Sequence, residues 1–418
     1  MAAAGSGLVM NGQATVPPRL LGVDLARAVA LVGMMAVHIV PATSSALDGT
    51  SVHPAALVFG GRASALFAVL AGLSLALVSG RTRPPAGEAL RRSRRGILAR
   101  AAVIAVMGMT LGSLPTGIAV ILVNYAALFV VVLPFLGLRA RTVAWWATAW
   151  LLLSPVASHL LRSALADTTG PGPGPVPGWL SLADPLGFGI DLLLTGYYPV
   201  LTWTGYLLVG LALGRSRLLE PRDGVVGPLL VALGGLVLLA TSKALSTTLT
   251  AMPTVLDQLS LPAGSPLLRT DPTVLLQLSM YGTTPTTSWW WLAVSAPHSG
   301  TPLDLLHTTG FALLVVGLLS ALVLRAPGGL RTALVPLAAT GAMTLSLYSL
   351  HVLVEAVRNQ MSATPDAHAL QVWLTQVVLV VVLATAWRAV TTTFGLSPQG
   401  PLELVTAQAA AAARGSSA

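Results

Sequence analysis

Apolar residues run along this chain in blocks of about twenty, broken by short polar stretches. That is the length a helix needs at 1.5 Å per residue to cross roughly 30 Å of hydrocarbon. The pattern predicts an all-α polytopic bundle of ten membrane helices, near 22–42, 55–79, 96–114, 117–137, 142–161, 190–213, 225–248, 305–324, 333–356 and 369–390. A cytoplasmic N-terminal segment (1–21), a membrane domain (22–390) and a cytoplasmic tail (391–418) follow from those limits. Met1 to Leu20 lacks the basic, apolar and small-residue progression of a cleaved signal peptide, so insertion is expected to rest on the first span.

Positive charge orients the bundle. Arg81, Arg83, Arg91, Arg92, Arg94, Arg95 and Arg100 follow the second expected span. Arg139 and Arg141 follow the fourth, Arg215, Arg217 and Arg222 the sixth, and Arg325 and Arg331 the eighth. The alternate connections hold only Arg162, Lys243, Arg269 and Arg358. Basic residues favour the cytoplasmic face, so both termini are expected inside. Two long outer segments remain. Residues 162–189 include the turn-rich run Gly170-Pro171-Gly172-Pro173-Gly174-Pro175, and residues 249–304 include Trp289-Trp290-Trp291 and Pro297-His298-Ser299-Gly300-Thr301. The Trp run serves equally as an interfacial anchor.

Composition narrows the chemistry. Of 418 residues, 54% are hydrophobic and 9% charged, against about a quarter charged in soluble domains. The net charge of +9 sits in connections between apolar runs, which reflects topology and gives no nucleic-acid face. With no cysteine, thiol nucleophiles, disulfides and thiolate metal sites are excluded, and no metal-spaced histidine pair is present. All seven histidines (His38, His53, His159, His298, His307, His351 and His368) fall on expected outer loops or outer span ends. Histidine suits proton transfer near neutral pH.

The first span carries Asp24, Arg27 and His38. Arg27 and His38 are eleven residues apart, which returns them to nearly one helix face about 16 Å apart. Asp24 neighbours Arg27 at i, i+3 spacing. Ionisable groups within a membrane usually face the protein interior or a wet cavity. Arg62 enters the second span at a depth similar to that of His38, as a stabiliser of developing negative charge or as a snorkelling residue. Tyr348, His351 and Glu355 share a helix face, where Glu355 either orients His351 or completes a structural hydrogen-bonded cluster.

Gly22-Val23-Asp24-Leu25-Ala26-Arg27 followed by His38 resembles the first-span signature of the transmembrane acyltransferase superfamily, which includes the acyltransferase type-three proteins and the heparan-alpha-glucosaminide N-acetyltransferases. Phe67-Ala68-Val69-Leu70-Ala71-Gly72-Leu73-Ser74 is similar to its second-span motif and Arg91-Arg92-Ser93-Arg94-Arg95 to its arginine motif. Ser346-Leu347-Tyr348-Ser349-Leu350-His351 is similar to a late-span motif, and Gly400-Pro401-Leu402-Glu403 resembles the ending of a bacterial branch. The resemblance is strongest over residues 19–100 and 340–403. It implies acyl transfer from acyl-CoA, with acetyl-CoA the expected donor, His38 as the essential histidine and Asp24, Arg27, Arg91, Arg92, Arg94 and Arg95 on the donor side. The heparan-type enzymes place their proposed histidine in the first outer loop, where this chain has His53, so the choice between the two is open, with His38 preferred.

The expected enzyme takes acyl-CoA from the cytoplasm, runs its extended arm past Arg27 and acylates a hydroxyl or amine of an extracytoplasmic glycan or glycolipid. His38, Arg62 and His53 are its catalytic candidates, and Tyr348, His351, Glu355 and His298 its acceptor-side candidates. Membrane lipids are the other partner, a homodimer is left open, and a bacterial plasma membrane is the expected location. A transporter or flippase without acyl transfer is the competing reading, and a silent membrane scaffold a third.

Overall fold

The computed structural model describes residues 20–46, 49–165, 176–220, 224–259, 276–361 and 368–415. The Gly170–Pro175 run, Arg222, Arg269 and most of the N-terminal segment lie outside the described residues.

Helix α1 (Leu21–Ile39) leads to a short hairpin, β1 (Thr43–Ala46) and β2 (Gly49–Val52), paired antiparallel with Thr43 opposite Val52. Helices α2 (Pro54–Phe59) and α3 (Arg62–Val78) continue one span across a break at Gly60-Gly61. There follow α4 (Gly87–Gly112), α5 (Leu122–Val132), α6 (Ala140–Ala164), α7 (Pro185–Ile190), α8 (Val200–Arg215), α9 (Val226–Thr250) and the single turn α10 (Pro253–Leu256). The later half holds α11 (Pro302–Arg325), α12 (Gly328–Ala333), α13 (Val335–Ala342), α14 (Thr344–Met361), α15 (Ala369–Thr393) and α16 (Pro401–Arg414).

The helical membrane bundle is present, with differences from the sequence reading. Six described helices are long and apolar enough to cross a membrane, and eight spans result if each bent pair counts as one. One bent pair joins 185–195 to α8 at 51°, and the other joins α13 to α14 at 78°. The all-α class holds, and the ten expected spans become six to eight among the described residues; the connection after α1 adds one short hairpin, where it turns back and pairs its own backbone groups. The arginine run 91–95 is not a loop leading into a span but the opening turns of α4. The expected tail folds back as α16 against α4.

Helix α1 lies at the centre, packed by α3, α11 and α13, and 13 of its 19 residues are buried. Its polar residues therefore face protein, as intramembrane ionisable groups must. Lipid tails are as apolar as leucine, so small residues that allow close backbone approach drive helix pairing here. Gly310 of α11 packs so closely on the Gly235 carbonyl of α9 that no Cβ would fit, and Gly341 of α13 abuts the backbone of Asp24 in α1.

Replacing Gly310 with Leu would force a side chain into the α9 backbone, and overpacking of this kind costs about 1–3 kcal/mol. The expected outcome is a lowered detergent-solubilised melting temperature, read by tryptophan fluorescence, with insertion retained.

Candidate active site

Two cavities flank one face of α1. The first, about 430 Å³, is lined by His38 together with Val37, Ser64, Asn124, Tyr198 and His298, among others. The second, about 540 Å³, is lined by Asp24, Arg27, Arg81, Arg100, Tyr348 and Arg414, among others. Both volumes fall in the range typical of small-molecule sites. Met34 is the one described residue that lines both. It stands seven residues after Arg27 and four before His38, so a helix of 3.6 residues per turn carries all three on one face. Tyr125, a wall of the arginine cavity, donates to the Ser64 carbonyl, a wall of the other, at 3.2 Å. The continuous passage expected from the sequence is thus two chambers that meet at Met34.

In the His38 cavity, His38 Nδ1 lies 3.1 Å from His351 Nε2. The rings are parallel within 6° with centroids 5.3 Å apart. That spacing matches two imidazoles joined nitrogen to nitrogen (the bond plus a ring radius at each end), so they meet edge to edge. His351 Nδ1 lies 2.9 Å from Gln376 Oε1, Gln376 Nε2 donates to Glu355 Oε1 at 2.7 Å, and Arg358 Nη2 donates to Glu355 Oε2 at 2.7 Å. His351 and Glu355 are each 2% exposed, so both stand behind His38 rather than in the cavity. Glu355 does not orient His351 directly, because Gln376 of α15 is placed between them.

His298 does line this cavity. It lies parallel to Trp203 within 9° and meets Tyr197 and Tyr198 edge-on. Burial among these rings pushes its pKa down to about 3, so it is a neutral imidazole at physiological pH. Its φ of +55° is a left-handed conformation that non-glycine residues seldom adopt. Asn124 donates to the Tyr198 carbonyl at 2.9 Å, while its Oδ1 is buried without a donor among the described residues.

The other two catalytic candidates are held elsewhere. Arg62 Nε and Nη2 lie 3.0 and 2.8 Å from His307 Nε2, and Nη1 bonds the Leu57 and Val58 carbonyls. The Arg62 guanidinium is engaged by these acceptors and does not line the His38 cavity. His53 caps α2, its Nδ1 accepting from the Ala55 amide at 3.2 Å, and it too is absent from the lining.

In the arginine cavity, Arg27 donates to Asp24 at 2.5 Å and to Ser74 Oγ at 2.7 Å. Arg100 Nε and Arg414 Nε are buried with no acceptor among the described residues. Among the described residues, four guanidiniums (Arg27, Arg81, Arg100, Arg414) and two carboxylates (Asp24, Glu403) line the space. Glu403 is already engaged, accepting from the Leu345 amide and from Ser346 Oγ, both at 2.6 Å, where it caps α14 after the bend. A chamber with surplus guanidinium donors suits a phosphate-bearing ligand. Of the expected donor-side residues, Asp24 and Arg27 belong to it, whereas Arg91, Arg92, Arg94 and Arg95 do not. Arg91 and Arg92 pair with Glu88 on the exposed side of α4, and Arg94 donates to the Leu133 carbonyl. Tyr348 lines the arginine cavity and not the one holding His38.

Sequence reading missed Met34, Asn124, Gln376 and Arg414. Asn124 and Gln376 did carry a signal, as lone amides within apolar runs.

Compared with known families, residues 19–246 match the one described as heparan-alpha-glucosaminide N-acetyltransferase, catalytic. The chain belongs to this family. Comparison with curated proteins finds none that matches. The family match spans α1 to α9 and so includes His38, Arg27 and Arg100. His351, Glu355, Gln376, Glu403 and Arg414 lie beyond it, so the later helices supply Glu403 and Arg414 to the arginine cavity and the hydrogen-bonded residues behind His38.

Truncating Glu403 to Ala removes the cap of α14 that fixes Tyr348 and His351 downstream. Loss of a helix cap costs about 1 kcal/mol, and the expected lower melting temperature in detergent checks it.

Proposed function

We propose that the chain is a multi-pass acyltransferase of a bacterial plasma membrane. It moves an acyl group, acetyl by the family's description, from cytoplasmic acyl-CoA to a hydroxyl or amine of an extracytoplasmic glycan or glycolipid. Both termini lie inside, which places the arginine cavity on the cytoplasmic half and the His38 cavity on the outer half. The observation that supports this reading best is the juxtaposition of two unlike chambers on one face of α1, sharing Met34.

The arginine chamber takes the phosphates of the donor. Arg27 is held by Asp24 and Ser74, while Arg100 and Arg414 have guanidinium nitrogens left for an anion. The acyl thioester reaches past Met34, a flexible side chain suited to yielding space. In the His38 cavity the aromatic wall of Tyr197, Tyr198 and His298 receives the acceptor. Sugar rings pack well on such faces because both are amphipathic.

His38 is the base. Its Nδ1 is engaged with His351, and its Nε2 makes no hydrogen bond to the described residues. Nε2 takes the proton from the acceptor as its oxygen or nitrogen attacks the thioester carbonyl. The carbon–sulfur bond then breaks, and the proton passes from the imidazolium to the departing CoA sulfur. Atoms and charge balance, and no thiol of the protein is needed. Arg62 and His53 are not assigned to the step, since both are held outside this cavity.

His38→Ala should lower transfer on the order of 10²-fold or more, the usual contribution of a general base, while acetyl-CoA binding to protein in nanodiscs is retained. Mass spectrometry of envelope glycolipids from cells carrying each version reads transfer, and undiminished product in the variant would overturn the assignment. Arg100→Ala should weaken acetyl-CoA binding about tenfold, as expected for one charge-assisted hydrogen bond. Met34→Trp should leave that binding intact yet abolish CoA release. Counterflow of a substrate with no CoA release by the wild-type protein would instead favour a transporter.

A further inference from the structure

The hydrogen bonds behind His38 form a chain whose direction is fixed at one end. An ionised carboxylate only accepts hydrogen bonds. Glu355 accepts from Arg358 on one oxygen, so the group facing its other oxygen must be the amide nitrogen of Gln376. Gln376 then turns Oε1 toward His351, and an amide oxygen only accepts, so His351 carries its proton on Nδ1. A neutral His351 therefore has an unprotonated Nε2, and that nitrogen accepts the proton on His38 Nδ1. The near-coplanar rings suit this bond. The result is a neutral His38 whose Nε2 lone pair is free.

We infer that Glu355, Gln376 and His351 are positioning residues that set the tautomer of His38, with Glu355 dictating the polarity from three hydrogen bonds away. Every member is buried, at 2% exposure for His351 and Glu355 and 8% for Gln376, so no solvent competes for these bonds. Arg358 pairs with the buried carboxylate at 2.7 Å and offsets its charge. All four residues lie outside the region that matches the family, so the device is supplied by helices α14 and α15 of this chain. It rests on the reading of His38 as the base.

The decisive variant is Glu355→Gln, which keeps shape and reverses polarity. The new amide offers its oxygen to Arg358 and its nitrogen to Gln376, so Gln376 flips and donates to His351 Nδ1. His351 then donates through Nε2, and His38 is left protonated on Nε2, the nitrogen that must be bare. Exchanging the pair in the double variant Glu355→Gln with Gln376→Glu restores the original direction. Solid-state NMR of ¹⁵N-histidine-labelled protein in bilayers, with His38 assigned by comparison with His38→Gln, reads the tautomer directly. The expected result is an Nδ1–H ring in the wild type and an Nε2–H ring in Glu355→Gln. The single variant should lose kcat on the order of 10²-fold with KM for acetyl-CoA unchanged, and the double variant should recover both ring state and kcat. An unchanged His38 tautomer in Glu355→Gln would overturn the inference. A switched tautomer with undiminished kcat would instead leave the relay standing and remove His38 as the base.

Discussion

A carboxylate inside a helical bundle needs partners, because the low-dielectric interior charges several kcal/mol for each unneutralised ion. Glu355 meets that requirement with Arg358 on one oxygen and the Gln376 amide on the other. The remaining geometry follows from it. Gln376 is oriented by what a carboxylate accepts, His351 by what an amide oxygen accepts, and His38 by what a bare imidazole nitrogen accepts. The bend of 78° before α14 and the Glu403 cap that closes it set the height at which His351 meets α1. Burial that would penalise isolated polar groups instead makes their linked arrangement rigid.

The second constraint is that one helix serves two chambers. Helix α1 is packed on several sides by other helices, so its polar face opens into the two cavities. Asp24, Arg27 and Ser74 occupy the arginine end, His38 the other, and Met34 the middle. The two chambers differ in chemistry, one lined by guanidiniums and one by aromatic rings. Dividing them at a flexible apolar side chain allows each chamber its own chemistry.

Much of this was legible in the chain. Span after span showed in the apolar blocks, and the Arg27–His38 spacing marked one face because helical periodicity is a local property. Tyr348, His351 and Glu355 were grouped for the same reason. What failed was assignment across helices. Arg62 has the depth of His38, yet depth says nothing about which neighbour a guanidinium meets, and it meets His307. The run Arg91 to Arg95 was placed on the donor side by its resemblance to the family's arginine motif, but α4 turns two of those residues toward Glu88 on the outside and places Arg100 inward. Arg414 sits in an alanine-rich ending with no visible partner, and only the fold-back of α16 brings it to the cavity.

By itself, the sequence determined that the chain is a multi-span helical membrane protein with an acid, a base and an imidazole on its first span, because hydropathy and helical period are written in neighbouring residues. The tertiary structure alone decided that His38 faces His351, that Gln376 mediates between it and Glu355, and that Arg27 shares a chamber with Arg100 and Arg414. Those pairings join residues tens to hundreds of positions apart. Their directions depend on how helices rotate and bend against one another, which no local pattern encodes.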